Sequence, residues 1–561
     1  MSALFKMRGH LKMPLAPLGA QSSLSRRVLP VVFFGLLGIL ALGIAGTQLL
    51  HPAQADNHIG TEPMMQSTNS GWDVTVLFDI GSRVGGAEGY RPPGILDGMG
   101  ALADEDGNMV VLSNHELRPG YGEIYALNSG ATLRGARVSR FVIDPETLAV
   151  KEAGLAYHTI IDRHGNPVTA EMATADATAS DVDDAGTDYD LRRLCSAYLG
   201  RAGEYGLEDD IFFTGEETNG GQLFALDIAN RTLYAVPAAG RAGYESVALI
   251  DSGDPNKIAI LIGDDRQGAP LLLYVGDKDT SEGAGFLERN GLANGEVYVW
   301  RSDRGYGSPE DWNGTGATTT GQFRELRIYL PHLANATGYD ASGYADQDIQ
   351  DGFADRVRHF EFSRPEDLST NPDDGNQVVF ASTGRGSAYP SDDWGTTYIV
   401  DADAANLTAN LKILYDGDDA GAGQFPGGPD FGMRSPDNLV WANDGFAYIQ
   451  EDRSTGNFGK TSSREASIWQ IDPDTSQLSR LTEMDRLARL PVGTYDADPD
   501  DLGDWESSGV IDVSDFFSDA TGTTLLFNVQ GHSVKGDLYG GDAVDLGLAE
   551  GGQLLLLQQT R

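Results

Sequence analysis

The feature of this sequence that most limits its fold is a series of short apolar runs, each followed by polar and mostly acidic residues. The runs are rich in β-branched residues, Asp/Asn/Gly turns separate them, and no helical period dominates, so the sequence predicts an all-β protein. The six clearest runs are 109–112 before Ser113-Asn114-His115-Glu116, 211–213 before Thr214-Gly215-Glu216-Glu217, 258–263 before Asp264-Asp265, 378–380 before Ser382-Thr383, 446–449 before Gln450-Glu451-Asp452, and 525–529 before Gln530-Gly531-His532.

A second strand is predicted upstream of each run, joined to it by turn residues, so that each pair forms a hairpin. One hairpin begins at Glu245 and returns to Asp265, and another begins at Asp437 and returns to Asp452. Because antiparallel strands bring their start and end together, the members of each pair are expected side by side. The same construction pairs Asp97 with Glu116 and Cys195 with Glu217, and starts a further hairpin near Glu366 that ends at Thr383.

Six hairpins whose polar ends meet predict a six-bladed β-propeller with carboxylates at one rim. The alternative interpretation is that these acids are solvated loop residues. The spacing between hairpins is uneven, which indicates long insertions over the rim, or else disordered acidic spacers. The predicted insertions are residues 174–190, 277–321, 338–352 and 416–432.

Charge narrows the function and the kind of site. The chain has 40 Lys+Arg against 83 Asp+Glu, a formal net charge of −43, which excludes nucleic-acid binding through bulk charge. Carboxylates crowded at one rim repel each other unless cations neutralise them, and oxygen ligands favour Ca²⁺ or Mg²⁺, with calcium expected for an exported protein. The predicted carboxylate ligands are Glu116, Glu217, Glu245, Asp265, Glu366, Asp437 and Asp452.

Cys195 is the only cysteine, so the chain forms no intramolecular disulfide. Its predicted place opposite Glu217 makes it a candidate metal ligand, because a thiolate beside carboxylates is stable when a metal holds it. A soft ligand of this kind points to iron or another transition metal. The alternative is a small, inert core residue.

Arg364 is the cation that we expect at the rim, since it lies in Arg364-Pro365-Glu366. A guanidinium offers a planar fork to a tetrahedral oxyanion such as phosphate, but it would also serve as an ion-pair partner for the acids. His115 and His532 have two readings as well: ligand or general acid, or a hydrogen-bonded residue at a strand end. We include Arg364, His115 and its neighbour Asn114 as candidate catalytic residues.

The first 55 residues predict a signal peptide. They carry five basic residues and no acid, an apolar stretch at 31–45, and the small-residue site Ala53-Gln54-Ala55. The pair Arg26-Arg27 favours twin-arginine export, leaving residues 56–561 as a single periplasmic or secreted domain. Because the apolar stretch 31–50 approaches spanning length, the alternative is a membrane anchor.

Seven short motifs in this order resemble the PhoX-type alkaline phosphatases. The resemblance runs from about Trp72 to Gln530, nearly all of the expected mature chain. The motifs are Asn114-His115-Glu116, Gly215-Glu216-Glu217 with Cys195 upstream, Tyr244-Glu245-Ser246-Val247, Gly263-Asp264-Asp265, Arg364-Pro365-Glu366, Pro436-Asp437-Asn438-Leu439 and Phe527-Asn528-Val529-Gln530.

The resemblance implies a phosphomonoesterase, exported by the twin-arginine route, on a six-bladed propeller that uses Fe³⁺ and Ca²⁺ together. It implies Cys195 and Glu217 as iron ligands, Arg364 as a phosphate-binding residue and Glu366 as a metal ligand. Two positions depart from the family pattern: Tyr244 stands where a His is common, and Gln530-Gly531-His532-Ser533 replaces the usual Gln-His-Pro-Gly.

These observations predict hydrolysis of small phosphate monoesters, with a metal-activated water attacking phosphorus in line while the metals and Arg364 hold the other oxygens. Two alternatives stay open. One is a calcium-dependent hydrolase of another ester, such as a phosphodiester, phytate or a lactone, and the other is a non-catalytic calcium-binding propeller. No stable membrane insertion is expected if the signal is cleaved, and the sequence leaves the oligomeric state open.

Overall fold

The computed structural model describes residues 61–86, 89–172, 191–422, 424–517, 522–536 and 548–560. All of them belong to one compact unit, His51–Arg561. The predicted signal peptide at 1–55 and the predicted insertion at 174–190 lie outside the described residues. Cleavage and export therefore stay predictions.

Short strands make up most of the regular structure, which confirms the all-β prediction. In chain order the first sixteen are β1 (Met65–Ser67), β2 (Trp72–Asp79), β3 (Leu96–Ala103), β4 (Met109–His115), β5 (Tyr125–Ala126), β6 (Thr132–Leu133), β7 (Arg137–Ile143), β8 (Val150–Leu155), β9 (Thr159–Ile161), β10 (Leu194–Gly200), β11 (Ile211–Glu216), β12 (Leu223–Asp227), β13 (Thr232–Ala235), β14 (Tyr244–Ile250), β15 (Lys257–Asp264) and β16 (Leu272–Asp277).

The second half of the chain continues the pattern. Its strands are β17 (Gly295–Ser302), β18 (Thr318–Leu326), β19 (Pro365–Asn371), β20 (Asp374–Ser382), β21 (Thr396–Asp403), β22 (Thr408–Asp416), β23 (Pro436–Trp441), β24 (Ala447–Glu451), β25 (Ile468–Ile471), β26 (Leu478–Arg480), β27 (Thr482–Met484), β28 (Thr494–Asp496), β29 (Trp505–Asp512), β30 (Thr524–Gly531), β31 (Val534–Gly536) and β32 (Gly551–Gln559). Two short α-helices with described bounds are α1 (Phe286–Arg289) and α2 (Gln347–Val357). None of the helices in the described ranges is long and apolar enough to cross a membrane.

Four sheets are separate, blade-like units. Their strand orders are β3-β4-β7-β8, β10-β11-β12-β13-β9, β23-β24-β25-β26 and β29-β30-β32-β2. In the last of them, β2 comes from the start of the described chain and pairs with β32 from its end, so one sheet joins the two ends. Three two-stranded sheets complete the set: β1-β27, β5-β6 and β28-β31.

The fifth large sheet has nine strands, in the order β14-β15-β16-β17-β18-β22-β21-β20-β19. Strand β18 causes this continuity because it pairs with β17 on one side and with β22 on the other. The prediction that 277–321 is a loop over the rim is therefore wrong for much of this segment, which supplies β17 and the start of β18. Val297, Val299 and Trp300 are fully buried there, as expected for a strand between packed neighbours.

The first strands of the six hairpins, which we call the inner strands, form a closed ring. In this ring β3 contacts β10, and the contacts continue through β14, β19, β23 and β29 back to β3. The second strands are buried on both faces: residues 258–262 of β15 are each 0% exposed. This explains why the sequence shows continuous apolar runs rather than a strict alternation of apolar and polar residues.

Close backbone contact between neighbouring inner strands gives the first prediction. A Cβ atom on Gly98 of β3 would lie 2.2 Å from the backbone nitrogen of Ala197 in β10, whereas a Cβ atom on Gly154 of β8 would have nothing within 4 Å. We expect Gly98→Ala to lower the free energy of unfolding by about 1–3 kcal/mol, because the added methyl group forces the two strands apart. Denaturant unfolding in the presence of a chelator measures this, with Gly154→Ala as the matched control. Equal stability of the two variants would contradict the close packing of the ring.

Candidate metal centre

The second residue of each inner strand carries a metal-ligating group, which is a carboxylate in five strands and a thiol in one. We call this set the inner ring: Asp97, Cys195, Glu245, Glu366, Asp437 and Glu506. In the first five strands, the pairing register shifts at this position, for example between Tyr244 and Val247 of β14. Such a bulge re-aims the side chains that it releases from the ladder, and here it releases the ligand residue together with the small or polar residue after it.

A second set of polar residues follows the second strand of each hairpin. We call it the outer ring: Glu116, Glu217, Asp265, Thr383, Asp452 and His532. In five hairpins the backbone N–H of the outer-ring residue donates to the carbonyl of the residue that precedes the inner strand. These bonds join Glu116 to Ile95, Glu217 to Arg193, Asp265 to Gly243, Thr383 to Arg364 and Asp452 to Ser435, at 2.8–3.1 Å. The expectation that the two ends of each hairpin meet is confirmed.

The two rings bring candidate ligand atoms close together. Within 4.8 Å of one another lie ligand atoms of Asp97, Glu116 and Cys195, of Cys195, Glu217 and Glu245, and of Glu245, Glu366 and Asp437. Cys195 belongs to the first two groups and Glu245 to the last two, so the three groups form one continuous arc. Six of the eight predicted ligands lie in this arc, while Asp265 and Asp452 lie beside it as partners or neighbours of Arg364.

Arg364 lies among the outer carboxylates, as predicted. Its Nε and Nη2 donate to the two carboxylate oxygens of Asp265 at 2.8 and 2.7 Å, and Nη2 lies 3.2 Å from Glu366 Oε1. Nη1 donates to Ser454 Oγ at 3.2 Å. The residue has φ 67°, an unusual backbone conformation for a non-glycine residue directly before a strand. This forked arrangement fixes the plane of the guanidinium.

Arg193 holds the corresponding position before β10, and the sequence analysis missed it. It too has a positive φ, of 38°. Its Nη2 lies 2.6 Å from Glu116 Oε1 and also donates to Glu217. Two arginines at equivalent places in the repeat thus pair with the outer ring, and the signal for Arg193 in the sequence is only its place directly before a predicted inner strand.

Burial of so many acids in one place shifts their protonation. Burial raises the pKa of Glu245 well above its usual value, and the neighbouring Glu366 raises it further. The pKa values of Asp97, Glu366 and Asp437 are raised for the same two kinds of reason, and burial raises that of the Cys195 thiol as well. Burial acts in the same direction on Asp265, but the paired Arg364 outweighs it and lowers the pKa of Asp265.

The donor set fits bound metal ions. Asp97 Oδ1 and Glu245 Oε1 are buried and have no hydrogen-bond partner in the described part of the chain, which is costly unless a cation binds them. The third group consists of oxygen donors alone, which suits a hard cation. The first two groups include the sulfur of Cys195, which suits a transition metal.

Among the described residues, the side chains of Asn114 and His115 form no hydrogen bond with the ligand side chains of the arc. The Asn114 amide donates to the carbonyls of Cys195 and Ser196 and to Thr214 Oγ1, so it ties β4 to β10 behind the inner ring. His115 is fully buried on the opposite face of β4, with Nδ1 3.2 Å from the Gly94 carbonyl and Nε2 2.6 Å from Ser139 Oγ. Burial lowers the pKa of His115 to about 3. Both contact sets are those of structural residues, and for His115 they match the strand-end reading.

His532, by contrast, contacts two carboxylates, one of which belongs to the inner ring. Its Nδ1 is 2.8 Å from Glu550 Oε2 and its Nε2 is 3.3 Å from Glu506 Oε2. Although burial acts in the opposite direction, these two carboxylates raise the pKa of His532 well above its usual value. Glu506 and Asp97 are the inner-ring residues that the sequence analysis did not choose as ligands.

A cavity of about 440 Å³ opens beside the two rings. Glu116, Arg193, Asp452, Glu506 and His532 connect its wall to the rings. A cavity of this size is typical of sites that enclose small organic ligands. Charged groups next to a ligand-sized space make this the candidate active site among the described residues.

Comparison with known proteins agrees with the geometry. Residues 169–488, more than half of the chain, match the family described as Alkaline phosphatase PhoX. The matched segment includes Cys195, Glu217, Glu245, Arg364 and Asp437, but not Asn114, His115 or Glu116. No curated protein matches the sequence.

Among solved structures, Pseudomonas fluorescens PhoX in complex with vanadate, a transition-state analogue, is similar with a TM-score of 0.58 at 17% identity, over 87% of this chain and 95% of that one. A putative 6-phosphogluconolactonase from Bacteroides uniformis has a TM-score of 0.28 at 12% identity, over 68% and 82% of the two chains. The first likeness shows a shared, propeller-like fold.

The raised pKa values give the second prediction. In metal-free protein the buried carboxylates keep protons that the unfolded chain releases above its usual pKa of about 4, so stability falls as pH rises. The pKa of Asp452, raised by burial to about 7, sets the upper part of that window. We expect the melting temperature to fall between about pH 5 and 8 with a chelator, and this fall to disappear when divalent metal ions are added, since metal ions bind carboxylates in their deprotonated form.

Glu245→Gln combined with Asp437→Asn provides the control, since this variant has fewer protons to lose and its melting temperature should depend less on pH. Two results would contradict this explanation. One is a melting temperature of the wild type that does not depend on pH in chelator, and the other is an equally steep pH dependence in the variant.

Proposed function

The chain belongs to the PhoX alkaline phosphatase family, and we propose that it is a metal-dependent phosphomonoesterase whose centre is the arc of inner-ring and outer-ring residues. Family membership supports hydrolysis of phosphate esters. The observation that carries the proposal is the continuous arc of oxygen and sulfur donors, with Arg364 beside Glu366 at its edge.

We propose a six-bladed propeller for the same chain. In this interpretation the nine-stranded sheet counts as two blades, β14–β17 and β19–β22, with β18 as a bridge between their outer edges. The closed ring of six inner strands supports that count, since each inner strand would be the innermost strand of one blade, at the central channel.

The proposed metals are calcium and iron. Glu245, Glu366 and Asp437 would hold Ca²⁺ with oxygen alone, whereas Cys195 and Glu217 would hold iron, as Fe³⁺, since a thiolate ligand favours a transition metal over calcium. Such ions, when bound, make a coordinated water more acidic and stabilise negative charge on phosphate oxygens. The carboxylates then serve as ligands rather than as proton donors.

Arg364 would orient the substrate. Its guanidinium plane is fixed by Asp265 and Ser454, so the fork is held in place before a phosphate arrives. An arginine held in this way binds equatorial oxygens of a phosphoryl group and stabilises the charge that develops on them in an in-line displacement. Ordering of the side chain therefore costs little at the moment of reaction.

The non-catalytic alternative requires Cys195 to lie against apolar residues, far from Glu217. Instead, ligand atoms of Cys195, Glu217 and Glu245 lie within 4.8 Å of one another, and Cys195 Sγ is 3.2 Å from Asp97 Oδ2. This arrangement favours the enzyme over a calcium scaffold. Ester classes other than monoesters are outcomes of the substrate test below.

Export belongs to the proposal too. The basic residues, the apolar stretch 31–45 and Arg26-Arg27 support the twin-arginine route to the periplasm or the exterior. This route carries folded proteins, which suits a chain that acquires its metals before export. Replacing Arg26-Arg27 by Lys-Lys should leave the protein inside the cell, whereas unchanged export of that variant would contradict the route.

Metal content gives a direct test of the ligand assignment. Elemental analysis of the purified full chain should find iron together with several calcium ions, and Cys195→Ser should lose iron while calcium is retained, because a hydroxyl is a poor substitute for a thiolate. Chelated and reloaded wild type serves as the control. Calcium as the only metal in wild type, or unchanged iron in the variant, would contradict the proposed centre.

Substrate turnover tests Arg364. We expect Arg364→Ala to lower kcat/KM for p-nitrophenyl phosphate by about 10²–10³, the usual effect of losing one preorganised donor to a developing oxyanion. Arg364→Lys should recover part of the loss, since it keeps the charge but not the fork. Arg289→Ala, which removes an arginine ion-paired with Asp209 elsewhere, is the matched control. Normal turnover by metal-loaded Arg364→Ala would refute the role, and a phosphodiester, phytate and a lactone measured in parallel would reveal another ester class.

A further inference from the structure

The cavity beside the rings has a wall that the proposed chemistry does not use. Besides residues of the rings, Arg118, Tyr121 and Lys535 line it. Hydrolysis needs groups around the phosphoryl group, whereas a space of about 440 Å³ also holds much of a leaving group. Residues of this wall are therefore candidates for contact with a leaving group.

Arg118 and Tyr121 are held by a tight turn. The N–H of Tyr121 donates to the Arg118 carbonyl at 3.1 Å, and Pro119 and Gly120 occupy the two central positions. Gly120 has φ 80°, so the turn has the features of type II, in which proline and glycine are the preferred central residues. The two side chains thus start from fixed points on the cavity wall.

The rest of the loop is anchored as well. Leu117, directly before Arg118, is 0% exposed, and its carbonyl accepts from the N–H of Arg193 at 2.9 Å. The N–H of Gly135 donates to the Tyr121 carbonyl at 2.9 Å. The loop that carries Arg118 is therefore tied both to the residue before β10 and to the chain before β7.

The charge of Arg118 is unused. Arg193, on the same wall, is paired with Glu116 and Glu217. In contrast, no hydrogen bond or ion pair within the described ranges involves the Arg118 guanidinium, although acids outnumber basic residues by 83 to 40 in this chain. An unpaired guanidinium at a ligand-sized cavity is a binding group for a carboxylate or a phosphate.

We infer that the cavity selects phosphate esters whose leaving group carries a negative charge of its own, and that Arg118 is the specificity-determining residue that binds this charge. The inference rests on the proposed phosphatase function. Tyr121 offers an aromatic surface on the same turn, and Lys535 adds a second basic side chain to the wall. Substrates of this class are organic phosphates with a second phosphate or a carboxylate.

A pair of substrates that differ only in that charge tests the inference. One is 4-carboxyphenyl phosphate, and the other is the same phosphate with its carboxylate converted to an uncharged methyl ester. Both are assayed with the metal-loaded full chain. The measured quantity is the selectivity, which is kcat/KM for the carboxylate divided by kcat/KM for the ester. We expect Arg118→Ala to lower the selectivity about tenfold and Arg118→Glu to lower it further. Added salt should weaken the wild-type preference, because the contact is solvent-exposed.

Arg327→Ala is the matched control, since the Arg327 side chain is 76% exposed and does not line the cavity. It should keep the wild-type selectivity. Equal losses for the two substrates in Arg118→Ala, or an unchanged selectivity, would overturn the inference while leaving the proposed function intact. Failure of wild type to hydrolyse either ester would instead overturn the proposed function.

Discussion

The structure depends on one electrostatic constraint: a thiol and several carboxylates are buried together without enough positive charge to balance them. Among the described residues, Arg193 and Arg364 pair with outer-ring acids, but no ion pair joins a basic side chain to Asp97, Glu245 or Asp437. Leaving such groups ionised in a dry site costs several kcal/mol each, so they bind protons or metal ions. When metal ions bind, they relieve this electrostatic repulsion, and the relief strengthens metal binding.

The repeated hairpin explains how distant residues meet this constraint. Each inner strand places its second residue toward the common centre, and in five strands a bulge frees that residue from the ladder. Arg193 and Arg364, both with positive φ, place a guanidinium two residues before Cys195 and Glu366. The proposed centre therefore depends on a bulge that recurs in successive inner strands. The side chain at the bulge is a carboxylate in four of these strands and a thiol in β10.

Much of this arrangement was predictable from the sequence, because hairpin pairing is local. The pairs Glu245 with Asp265 and Asp437 with Asp452 followed from turn residues and antiparallel geometry alone. The structure departs from prediction where long-range packing decides. Strand β18 pairs with β22 and so makes one nine-stranded sheet, β2 pairs with β32 from the far end of the described chain, and neither of these pairings has a local signal. His115 turns away from the site because adjacent strand residues face opposite sides, and Asn114 already occupies the inner side.

The most direct test of the central claim is an anomalous-scattering map from crystals of the protein grown with its native metals. We expect an iron peak bonded to Cys195 and Glu217, and a calcium peak among Glu245, Glu366 and Asp437. A map with no metal at either place would show instead that arginines and protons alone balance the two rings, and it would rule out the proposed metal centre.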